Sequence, residues 1–134
     1  MVEYVIDTYA WIEYFRGSPE GDMAKQYIEG GETATPTIVV LELRKNFLRK
    51  IKEGKETPKG AEENMDYVRS KSTIIDLGYA SSIKAAETDL EMKQKVKNWG
   101  VADAIVLSAA RELKAKIVTG DEHFRGLEEA VMIK

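Results

Sequence analysis

The run Val2-Glu3-Tyr4-Val5-Ile6-Asp7-Thr8-Tyr9-Ala10-Trp11-Ile12 decides how the chain is read. Its first half is short and β-rich and stops at an aspartate. Its second half carries Trp11, Ile12 and Phe15 at helical spacing and ends at Gly17-Ser18-Pro19. A strand that passes into a helix across one acidic residue is the opening unit of an α/β fold. Outward from it the alternation continues. A helix fits residues 20–29, closed by Gly30-Gly31, and a brief strand fits 32–36, because a proline cannot continue a central strand. Thr37–Lys52 is the clearest helix, with Val40, Leu43, Phe47 and Ile51 on one face and Glu42, Lys45, Arg49 and Lys52 on a nearly opposite one. Residues 54–60 are polar and turn-like; 61–70 form a helix, 73–77 a strand and 80–97 a charged helix. An apolar helix over 101–113, a strand over 116–119 and a last strand over 131–133 complete the pattern. It predicts one three-layer α/β domain over 1–134, a mostly parallel central sheet flanked by helices.

Composition narrows the chemistry. A chain of 134 residues is long enough for one self-supporting core. With no cysteine it has no disulfides, thiolate metal sites or cysteine nucleophile, and one histidine excludes any mechanism that needs a His pair. No apolar run approaches the ~18 residues of a membrane span and no signal core opens the chain, so a cytoplasmic protein without a membrane partner is expected. The net charge of −3 at first argues against a nucleic-acid partner, because phosphate binding usually shows as a basic patch.

The acids carry the next inference. Open parallel sheets bind ligands beyond the carboxyl ends of their strands. Asp7 directly follows the first strand, and Asp121 follows the 116–119 strand with one glycine between. Asp103 opens an apolar helix, and Glu42 lies in the early turns of Thr37–Lys52. Taken singly, each aspartate is an ordinary helix cap and Glu42 an ordinary solvated side chain. Converged on one crevice, they repel: two bare carboxylates about 4 Å apart cost roughly 4 kcal/mol at an effective dielectric near 20. Such a cluster takes up protons or binds a cation. Oxygen ligands without a His or Cys cluster select Mg²⁺ or Mn²⁺, which clamp phosphate oxygens and activate a water.

The motifs have a familiar order. Val5-Ile6-Asp7-Thr8 before Tyr9-Ala10-Trp11-Ile12 resembles the opening of PIN-domain ribonucleases. Ala102-Asp103-Ala104-Ile105-Val106-Leu107-Ser108-Ala109-Ala110 resembles their second acidic motif, and Ile117-Val118-Thr119-Gly120-Asp121-Glu122-His123-Phe124 their third. Thr35-Pro36 ahead of Leu41-Glu42-Leu43 resembles the segment that supplies an acidic helix residue. Length, order and spacing are most similar to VapC-type toxins of toxin–antitoxin pairs. One departure is visible: Leu113-Lys114-Ala115-Lys116 fills a connection where many relatives have glycine. The resemblance implies a metal-dependent endoribonuclease acting on single-stranded or loop RNA. It implies Asp7, Glu42, Asp103 and Asp121 as catalytic metal ligands for Mg²⁺ or Mn²⁺, with Thr8 and Thr119 orienting them. It further implies a small antitoxin and a second copy of the chain as partners.

Substrate contacts are expected from Arg16, Lys45, Arg49 and Arg125, with Lys52 on the same face as Lys45 and Arg49. His123 reads as a variable loop position. Tyr9, Trp11, Tyr14 and Phe15 exceed what one buried face needs and predict an exposed apolar strip for a partner. Rival classes fare worse. Tyr9 stands where an aspartyl phosphatase would carry a second acid, and no glycine-rich phosphate loop occurs. A PIN-like module that only binds RNA or protein, and an RNA-processing nuclease without an antitoxin, stand as alternatives.

Overall fold

The computed structural model describes residues 1–134. Five strands, β1 (Tyr4–Ile6), β2 (Thr33–Pro36), β3 (Thr73–Ile75), β4 (Lys116–Thr119) and β5 (Ala130–Met132), form one sheet in the order β3-β2-β1-β4-β5. Every pairing is parallel, so the sheet is wholly parallel where the sequence predicts a mostly parallel one. Six helices flank it: α1 (Thr8–Arg16), α2 (Pro19–Gly30), α3 (Thr37–Lys52), α4 (Pro58–Lys71), α5 (Tyr79–Lys93) and α6 (Val101–Leu113). A sheet covered on both faces needs central strands that are apolar on both sides. Val5, Ile6, Ile117 and Val118 meet that need and are fully buried. They belong to one core cluster with Trp11, Leu43, Phe47, Leu107 and Phe124.

Strand order fixes where a site can form. From β1 the chain moves outward to β2 and β3, then crosses back to place β4 on the other side of β1. β1 and β4 run side by side, Tyr4 to Lys116 through Ile6 to Val118, and their connections leave in opposite directions. A crevice opens at that switch point, beyond the carboxyl ends of both strands.

Several details differ from the sequence pattern: β3 stops at Ile75 rather than 77, and β2 ends in Pro36 although it lies between β1 and β3. α4 begins at Pro58 rather than Ala61, because Thr57 accepts the Gly60 N–H (3.0 Å) and Pro58 occupies the first turn, where its missing N–H costs nothing. α5 ends at Lys93 rather than 97; the chain then turns through Asn98, which has φ 64°. The aromatics of α1 form no exposed strip. Trp11 is fully buried, and Tyr14 and Phe15 are half-buried against Tyr67 of α4 and Phe47 of α3. The exposed large apolar side chains lie elsewhere, among them Tyr79, Ile83 and Leu90 of α5. No helix is long and apolar enough to cross a membrane.

Candidate active site

Each of the four acids is pinned locally through one oxygen. Asp7 ends β1 and caps α1: its Oδ1 accepts the Ala10 N–H at 2.9 Å, while its own N–H still bonds Val118 O of β4. Asp103, in the first turn of α6, reaches back so that its Oδ2 accepts the Gly100 N–H at 3.0 Å. Asp121 follows β4 through Gly120, and its Oδ1 accepts the His123 N–H at 2.9 Å, closing a short 3₁₀ turn over Glu122–Phe124. Glu42, one turn into α3, has its Oε1 held by the Thr8 hydroxyl at 2.5 Å. The capping and ligand readings of these acids are therefore compatible, since a carboxylate has a second oxygen.

These four elements meet at the switch point. Asp7, Glu42, Asp103 and Asp121 line one pocket with Thr8, Tyr9, Ala102, Val106 and Phe124. Gly120 permits the closure, because a Cβ there would fall 2.1 Å from Cε1 of Tyr9. Thr119 lies buried beneath; its Oγ1 accepts the Asp121 N–H at 2.9 Å, and its hydroxyl favours the charged form of Asp7. A separate, more apolar pocket between the ends of β2 and β3 and the α5–α6 pair is lined by Ile75, Leu77 and Ile105 and holds none of the four acids.

Electrostatics set the acids of the pocket against one another. Asp7 is only 5% exposed, and burial pushes its carboxyl from 3.8 up to about 7. The hydrogen bonds from Thr119 and Ala10 pull it down, while the charges of Asp121 and Glu42 push it further up. No Lys or Arg side chain lines the pocket. Ligand atoms of Asp103, Asp121 and His123 lie within 4.8 Å of one another. An oxygen-rich donor set with excess negative charge and no Lys or Arg fits a hard divalent ion.

The basic residues divide into two kinds. Arg16 is held by both carboxylate oxygens of Glu13 (3.0 and 2.7 Å), and Arg125 by those of Glu122 and by the Lys134 carbonyl. Lys45, Arg49 and Lys52 are exposed on α3, beyond Glu42, and enter no such pair. None of the five lines the pocket. The sequence missed His123. Its ring Nδ1 stands 2.7 Å from Asp103 Oδ2, and this bond holds the imidazole above its ordinary pKa. The Asp121 turn was a partial signal, since it marks His123 as next to a candidate acid, but it does not say that the ring reaches Asp103.

The fold is a wholly parallel α/β sheet with an acid-lined crevice at its switch point. The family model of the PIN domain matches residues 4–130, and the chain belongs to the PIN-domain family. Among solved structures, a toxin–antitoxin complex from Klebsiella pneumoniae is similar with a TM-score of 0.70 at 23% identity, over 98% of each chain. VapBC2 from Rickettsia felis, bound to a DNA fragment from their promoter, has a TM-score of 0.73 at 19% identity, over 98% of this chain and 97% of that one. VapC20 from Mycobacterium tuberculosis, described as a sarcin–ricin loop cleaving toxin, has a TM-score of 0.68 at 12% identity, over 95% and 96%. No curated protein matches the sequence.

Proposed function

We propose that this chain is a divalent-metal-dependent endoribonuclease that hydrolyses phosphodiester bonds in single-stranded or loop RNA, and that it is the toxin of a cytoplasmic toxin–antitoxin pair. The observation that carries this is the pocket in which Asp7, Glu42, Asp103 and Asp121 converge from four elements with no Lys or Arg among them. Membership of the PIN-domain family supports it, as do the toxin–antitoxin complexes and the loop-cleaving toxin that share the fold. A small antitoxin and a second copy of the chain are the protein partners this function carries.

Asp7, Glu42 and Asp103 would hold the main ion, with Asp121 completing the set. Bound there, Mg²⁺ or Mn²⁺ supplies positive charge to the phosphate oxygens and lowers the pKa of a water. The chain's own residues prepare the ground. Thr8 fixes Glu42, and Thr119 fixes the backbone of Asp121 while favouring ionised Asp7. Val106 and Phe124 line the pocket with buried apolar side chains beside the carboxylates. In this proposal the nucleophile is a water, and the Thr8 hydroxyl serves to orient Glu42. Lys45, Arg49 and Lys52 steer the RNA backbone along α3 towards Glu42, while Arg16 and Arg125, already paired, contribute less.

Incubating the purified protein with structured RNA, with and without Mn²⁺, tests the proposal. EDTA-sensitive fragments are expected. Metal-dependent retention of intact RNA overturns the nuclease in favour of a binding module.

A further inference from the structure

We propose that His123 is a positioning residue, holding the carboxylates of Asp103 and Asp121 in the orientation that a divalent ion requires. This rests on the metal site proposed above for the same pocket. One residue reaches both acids by separate arms. Its backbone N–H donates to Asp121 Oδ1 at 2.9 Å, and its ring Nδ1 lies 2.7 Å from Asp103 Oδ2. The ring nitrogen is 3.8 Å from Asp121 Oδ1, beyond hydrogen-bond distance, so the two arms do not compete for one oxygen. Asp103 Oδ2 also accepts the Gly100 N–H, and so is held from two sides. Asp103 Oδ1 and Asp121 Oδ2 keep no protein partner.

The ring is itself placed by the fold. Phe124, the next residue, is buried and meets Trp99 edge to face, with centroids 5.5 Å apart. Trp99 immediately precedes Gly100, the N-cap of α6. That aromatic pair ties the segment ahead of Asp103 to the turn that carries His123. The imidazole ring lies 6.4 Å from Trp99 and is partly exposed, so it does not serve as core filling. A carboxylate gripped by one oxygen is already ordered when an ion meets the other, whereas a free one must first be immobilised. Partners of this kind typically govern about 10–100-fold in metal affinity.

The test is Mn²⁺ affinity by titration calorimetry, with His123→Ala, His123→Asn and His123→Gln, beside thermal unfolding in EDTA to confirm folding. The asparagine amide nitrogen sits where Nδ1 sits, and that of glutamine reaches towards Nε2. All variants keep the backbone N–H to Asp121. The alanine variant is expected to bind Mn²⁺ about 10–100-fold more weakly, the asparagine variant to recover most of the loss, and the glutamine variant to remain weak. Pulsed EPR of the wild-type Mn²⁺ complex is expected to show no nitrogen coupling from directly bound imidazole. Such a coupling, or rescue by glutamine in place of asparagine, overturns positioning and makes His123 a ligand. Alanine binding as tightly as wild type also overturns it while leaving the metal site intact. A wild type that binds no Mn²⁺ removes the metal site and this proposal together. If the alanine variant does not fold, the order of asparagine over glutamine decides.

Discussion

Helix α1 belongs to two regions of the molecule at once. At its N-terminus Asp7 and Thr8 enter the acidic pocket; one turn later Trp11, Tyr14 and Phe15 enter an aromatic cluster with Phe47 and Tyr67. In the cluster the polar atoms are satisfied: Trp11 Nε1 donates to Thr35 Oγ1 at 3.1 Å, and the Tyr14 hydroxyl meets Glu29 and Tyr67 at 2.7 and 2.9 Å. Trp11 stacks on Phe15 with centroids 5.6 Å apart. In the pocket the balance is reversed, because burial and neighbouring acids oppose the charge on Asp7 and no Lys or Arg answers it. A destabilising group can be held in place only by structure that is stable without it. The body of α1 supplies that stability and its first turn uses it.

The largest effect is expected at the pocket end. Asp7→Asn and Asp103→Asn should each reduce RNA cleavage to the EDTA background while circular dichroism shows a folded protein, since asparagine keeps an acceptor for each cap. Cleavage at the wild-type rate in either variant would remove the metal-site assignment. At the other end, Trp11→Ala should cost about 3–5 kcal/mol in urea unfolding, the range for large aromatic truncations in a core. A loss under about 1 kcal/mol would mean that the cluster does not anchor the helix.

A pH series separates the two ends. The carboxyl of Asp7 is raised in the folded protein, so its contribution to metal-free stability is fully present below about 3.8 and lost as pH rises through about 7. At 1.36 kcal/mol per pH decade that gap amounts to about 4 kcal/mol. Between pH 5 and 8 the thermal midpoint in EDTA should therefore fall further for wild type than for Asp7→Asn, in which only His123, also raised, still titrates, and Mn²⁺ should restore the wild-type midpoint at pH 8. An equal fall in both proteins would place the titrating group elsewhere. The smallest effect belongs to the surface. Lys45→Ala with Arg49→Ala should make the salt dependence of RNA binding shallower, by about one in slope for each phosphate those side chains neutralise. An unchanged slope would mark the α3 face as solvated surface.

Much of the fold was legible because strand and helix signals were local. The Ile6-Asp7-Thr8 boundary, the apolar run of α6 and the strand ending at Thr119 each appear in consecutive residues. Placement of Asp7 and Asp121 in one crevice followed from strand ends, since such ends share one edge of a parallel sheet. Glu42 was different: its place in the early turns of α3 made it a candidate, but nothing in the periodicity of the helix separates it from Lys45, and the resemblance is what singled it out. The role of the α1 aromatics was not legible, because what covers them is Tyr67, which lies 53 positions from Tyr14. His123 was missed for the same kind of reason. Its partner Asp103 stands on another element, and sequence spacing does not say which way a ring turns.

The pairing of β1 with β4 has a consequence in time. It joins residues 4–6 to residues 116–118, and Asp121 follows only after that pairing. A nascent chain emerging from the ribosome therefore carries Asp7 and Glu42 for most of its synthesis with β2 alone beside β1, and without β4 or Asp121. Long-range parallel pairing is slow to form and cannot begin before the later strand exists. The proposed nuclease would then be harmless to the machinery that makes it until nearly the whole chain has been translated, a delay set by topology rather than by any inhibitor.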